Sequence, residues 1–70
     1  SLFSPIEAIV MEPSGLYREP IESEILVQQE PLLAGSKVNI LHMSSDGKWF
    51  KVKDENQLVG YLPSSIIRVI

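Results

Sequence analysis

The sequence has no cysteine, and His42 is its single histidine. A disulfide framework is therefore excluded, and one histidine cannot build a zinc site, so a fold of this size must be held by packing alone. Long apolar runs are missing too. None approaches the ~18 residues that a membrane span needs, and no basic stretch precedes an apolar one in the manner of a signal peptide. There is no glycine-rich phosphate loop. No serine lies in a Gly-x-Ser-x-Gly context, and Ser44 and Ser45 read as turn residues rather than as partners of His42. The carboxylates fall mostly in loops, with no apolar pocket evident to set two of them to acid–base work. The expectation is a domain that is not an enzyme and that uses no cofactor and no metal.

A basic excess is also absent. Six Lys and Arg stand against nine Asp and Glu, a net charge of −3, which argues against a nucleic-acid partner because phosphate neutralisation needs a basic face. The charge is uneven along the chain. Residues 1–35 hold six Glu against Arg18, a net of −5, whereas residues 36–70 hold four Lys and Arg68 against Asp46, Asp54 and Glu55, a net of +2. Most of the acid sits between Glu19 and Glu30.

What is present is a chain of 70 residues, 44% apolar and 21% charged, a composition that is globular rather than disordered. One domain over residues 1–70 is expected, with its core from about residue 7 to 70. A chain this short hides only about 60% of its extended surface on folding. It opens on Ser1 rather than on methionine, so we read it as a domain of a longer protein, with other domains of that parent among its partners.

Apolar runs and turn residues alternate along the chain. Glu7 to Met11 is a short apolar run that ends at Glu12-Pro13-Ser14-Gly15, a strong turn cluster. Leu16-Tyr17-Arg18 reads as a brief strand before Pro20. From Pro20 to Pro31 the chain is acidic around Ile25-Leu26-Val27, and the pattern predicts a long hairpin-like loop whose apolar centre folds back on the body. A helix over Glu22 to Gln29 would suit the propensities, but eight residues closed by Pro31 are too few for an independent one. A strand is predicted over Lys37 to Met43, then an Asp46-Gly47 hairpin turn. Lys48 to Lys53 alternates, with Phe50 and Val52 on one face and Trp49, Lys51 and Lys53 on the other. Leu58 to Leu62 is the next strand, with Gly60 marking a bulge or a close approach. Pro63-Ser64-Ser65 makes a tight turn or one turn of helix, and Ile66 to Ile70 is a last β-branched strand. Five short strands without a convincing amphipathic helix predict an all-β fold, a small five-stranded barrel or sandwich.

Three segments in this order, Ala34-Gly35-Ser36-Lys37-Val38, Gly47-Lys48-Trp49-Phe50-Lys51-Val52 and Gly60-Tyr61-Leu62-Pro63-Ser64-Ser65, resemble the Src-homology 3 (SH3) fold and especially its bacterial relatives. The resemblance runs from about Ala8 to Val69. It implies an SH3-like barrel of five strands, a long loop after the first strand and a shallow groove for a peptide or cell-wall ligand. Trp49 matches the groove tryptophan of the family and Pro63 the groove proline. Two aromatic stations differ: Ala8-Ile9-Val10-Met11-Glu12 stands where eukaryotic members carry Ala-Leu-Tyr-Asp-Tyr, and Ile66 stands where they carry a tyrosine. Polyproline ligands dock between those aromatic ridges, so Pro-x-x-Pro recognition is not expected. Gly15-Leu16-Tyr17-Arg18-Glu19-Pro20 is similar to the bacterial members, which occur in envelope proteins beside peptidase, amidase or helical-repeat regions. The resemblance thus implies a cell-envelope, periplasmic or extracellular setting.

The candidate ligand-binding residues are Trp49, Tyr17, Pro63, Glu19, Glu22 and Glu24. Trp49 faces away from Phe50 and Val52, which suits either a binding contact or a cover for the edge of the barrel. Tyr17 offers a second aromatic wall or packs its own loop, and Pro63 lines the groove or only precedes a turn. The glutamates form either an acidic wall that selects Lys, Arg or free amines, or a solvated loop. The reading that follows is a non-catalytic interaction module that binds an extended peptide or protein segment around Trp49. Peptidoglycan-peptide targeting and a structural spacer without a ligand of its own are the alternatives. No insertion into a membrane is expected from this segment.

Overall fold

The computed structural model describes residues 5–70. Its elements are β1 (Ile6–Val10), β2 (Lys37–Met43), β3 (Trp49–Asp54), β4 (Val59–Pro63), a 3-10 turn over Ser64–Ile66, and β5 (Ile67–Val69). All neighbouring strands pair antiparallel in the order β4-β3-β2-β1-β5. The chain is all-β, as its pattern of short apolar runs predicts, and the small barrel is open between the end strands β4 and β5. The strand expected at Leu16–Arg18 shrinks to ladder positions at Tyr17 alone, which faces Leu26 on one side and Tyr61 on the other.

Alternation decides which face is buried. Ala8 pairs with Val38 and Val38 with Asp54, while Ile40 pairs with Val52 and Val52 with Gly60, so one face carries the small and β-branched residues. The core on that face is Ala8, Val10, Leu16, Leu32, Val38, Val52, Leu62 and Ile66, with Val27, Ile40, Phe50, Leu58 and Ile67 packed against it. Leu16 and Leu32 belong to the long β1–β2 connection, which covers the core where a second sheet would otherwise have to. That connection is the predicted hairpin-like loop. Ser14 and Leu32 exchange both backbone hydrogen bonds, and the Val27 N–H donates to the Leu16 carbonyl. Its apolar centre folds back in part: Leu26 and Val27 are half-buried, whereas Ile25 stays exposed.

The turns follow their chemistry. Gly47 takes a left-handed φ of +73° in the Asp46-Gly47 turn. Asp46 ties that turn, its Oδ1 accepting from the Ser44 hydroxyl at 2.7 Å and the Lys48 N–H at 2.9 Å. The polar gap between β3 and β4 holds a feature the sequence conceals. Asp54 ends β3 buried, and its Oδ1 accepts from the N–H groups of Asn56 and Leu58.

Candidate ligand-binding groove

Trp49 opens β3 at the mouth of the β2–β3 turn. Its carbonyl accepts from the Ser44 N–H, and its own N–H donates to the Ser44 hydroxyl, so the start of the strand is held at both backbone groups. Cross-strand pairing sets Trp49 against Pro63 at the end of β4. Alternation turns both side chains to the face opposite Val52 and Leu62. Trp49 and Pro63 are each half-buried.

Tyr17 reaches the same place by a different route. Its N–H donates to the Tyr61 carbonyl at 3.0 Å, and its carbonyl accepts from the Tyr61 N–H at 2.7 Å. This one rung ties the long loop to β4. It requires a close approach at Gly60, where an added Cβ would lie 2.6 Å from Leu16 Cγ and 2.8 Å from the Tyr17 carbonyl oxygen. The sequence expectation at Gly60 offered a bulge or a close approach; the structure has the approach. The bulge in the sheet lies in β2, where the register shifts between Ile40 and His42.

The rung delivers the Tyr17 ring to Trp49. Their centroids are 5.8 Å apart at an interplanar angle of 88°, an edge-to-face pair that lets the positive ring edge meet the negative ring face. Beside the pair runs a groove of about 320 Å³ whose lining includes Glu12, Pro13, Tyr17, Glu22, Pro63 and Ile66. Two carboxylates, Glu12 and Glu22, stand in that lining with the apolar surfaces of Pro13, Pro63 and Ile66.

The candidate residues thus divide. Trp49, Tyr17 and Pro63 come together; Tyr17 and Pro63 line the groove with Glu22, whereas Trp49 is outside its lining and adjoins it through the Tyr17 ring. Glu19 and Glu24 are exposed on the same loop without lining the groove. Glu12 joins the groove although it reads in sequence as part of a turn cluster. Its signal was its position: it falls on a station where the resembled family carries an aromatic. Ile66, on the other lost aromatic station, is buried and packs into the core. Among the described residues there is no group of three His, Asp or Glu placed to hold a metal ion. Arg18, the one cation of the loop, turns its Nε back onto the Leu26 carbonyl at 3.1 Å.

In comparison with known proteins, no family model and no curated protein matches the chain.

Proposed function

We propose that this domain is a non-catalytic interaction module that holds an extended peptide or protein segment in the groove beside Trp49. The observation that carries the reading is the edge-to-face pair of Trp49 and Tyr17, whose Tyr17 lines a groove together with Pro63. Rigid aromatics present a large contact area at low entropic cost, so such a pair is suited to anchoring a ligand. Glu12 and Glu22 line the groove and bias it toward Lys, Arg or a free amine. One shallow groove buries less than a standard interface, so binding is weak, and neighbouring domains of a longer parent would add avidity. The resemblance of the strand segments to bacterial SH3 domains supports the same class, in an envelope protein.

The test is an NMR titration of the labelled domain, with a peptide array to supply sequences and muropeptides as the separate arm. Expected are shifts at the Trp49 indole, Tyr17 and Glu22, and a loss of binding in Trp49→Ala with the β-sheet circular dichroism retained. Response to muropeptides alone assigns the groove to wall peptides. Silence from both sets, with a folded domain, overturns the reading in favour of a spacer.

A further inference from the structure

The strands carry a charge pattern that the groove does not use. Alternation puts Lys37 of β2, Lys51 and Lys53 of β3 and Arg68 of β5 on the face turned away from Ala8, Val38 and Val52. The register sets Lys37 and Arg68 on either side of Ile9, and Lys53 beyond Asn39 from Glu7. Two carboxylates accompany these four cations, Glu7 on β1 and Glu55 just past β3, both lining one pocket with Lys37 and Lys53, so the face has a net of +2. The β1–β2 loop is the reverse. Between residues 12 and 30 it has five Glu against Arg18, a net of −4, and all five are exposed.

We propose that copies of this chain associate head to tail, the acidic loop around Glu22 and Glu24 of one copy lying on the Lys37–Lys53–Arg68 face of the next. The two patches differ, so the contact is heterologous: it repeats from copy to copy and grows with concentration unless it closes into a ring. Exposed pairs contribute little each and are screened by salt. The Debye length falls from ~30 Å at 0.01 M salt to ~8 Å at 0.15 M, and the association therefore belongs to low ionic strength.

Sedimentation of the wild-type chain over a range of concentrations tests this. The weight-average mass is expected to rise with concentration near ~0.01 M salt and to return to the monomer value near ~0.15 M. The decisive variant is E22Q/E24Q. It moves the net charge from −3 to −1 and so reduces overall repulsion between copies, yet the proposal requires it to stay monomeric. K37Q/R68Q is expected to stay monomeric too, with circular dichroism reporting that both variants fold. A wild-type chain that remains a monomer at low salt overturns the proposal, as does association that survives in both variants. One rival contact has its own variant. The Ile70 N–H donates to the Glu7 carbonyl and the Ile66 carbonyl accepts from the Met11 N–H, so the Val69 N–H points to the open edge of β5. Association lost in Val69→Pro but kept in the charge variants would assign the contact to that edge and overturn the proposal.

Discussion

Asp46 and Asp54 perform the same local task in opposite surroundings. Each closes a turn by accepting two hydrogen bonds on Oδ1, Asp46 fully at the surface and Asp54 only 5% exposed. The hydrogen bond from the Ser44 hydroxyl, helped by the Lys48 N–H, holds the Asp46 carboxyl below the ordinary aspartate range. A carboxyl whose pKa is depressed by folding contributes stability that is present above the unfolded value, and that contribution is lost as pH falls through the folded one. The window therefore lies below about pH 4. The expected outcome is a thermal midpoint that falls more steeply in that window for wild type than for Asp46→Asn, measured by circular dichroism at a series of pH values. Parallel curves would mean that the turn gains nothing from the ionised form. Asp46 was legible as a turn residue because Asp-Gly chemistry is local. Asp54 was not, because its place on the core face follows from pairing with Val38 of β2, which nothing local announces.

At the scale of elements, Gly60 in β4 and Gly15 in the loop, both closely approached by side chains, separate strand from loop. A Cβ at Gly60 would meet Leu16 Cγ at 2.6 Å and the Tyr17 backbone at 2.8 Å, where β4 and the loop are pinned together. A Cβ at Gly15 would meet only the end of the Leu26 side chain at 2.8 Å, and that side chain is half-buried. Overpacking that cannot relax costs about 1–3 kcal/mol. Gly60→Ala is thus expected to lose stability in that range and to loosen the Tyr17–Trp49 pair, seen as a red shift of the tryptophan emission. Gly15→Ala should cost clearly less in urea unfolding; equal losses would place the strain somewhere other than the β4 contact. Strands β2 to β4 were readable to within a residue at their ends, since each repeats with period two between turn signals. The bulge at Ile40 to His42 had no such signal, because an apolar Leu41 continues the run without a break. The path of the loop was readable only in part. Pro20 and Pro31 exclude a long helix, but nothing local to Tyr17 states that its backbone will pair with Tyr61. The meeting of Tyr17 with Trp49, on which the candidate site rests, is a product of that pairing.

For the molecule as a whole, one small core and no cross-link set how much damage can be absorbed. At roughly 0.05–0.15 kcal/mol per residue, a domain of this length has a total stability on the order of 5 kcal/mol. Leu62 of β4 is fully buried in the core, while Leu33 is 67% exposed a few residues before β2. Truncating a buried leucine to alanine costs about 2–5 kcal/mol, and the loss grows with the cavity left behind. Truncating an exposed one is usually within about 0.5 kcal/mol. Leu62→Ala is therefore expected to unfold a visible fraction of the protein in water at room temperature, whereas Leu33→Ala leaves the urea midpoint where it was. The comparison bears on more than Leu62. Leu16 and Leu32 reach the core from the same loop that carries Tyr17, Glu12 and Glu22, so the loop that shapes the groove also seals the barrel. A groove built on such a loop cannot open by local unfolding without exposing the core, and urea should release the Tyr17–Trp49 fluorescence signal and the far-ultraviolet sheet signal in one coincident transition. Separate transitions would show that the groove is held independently of the barrel.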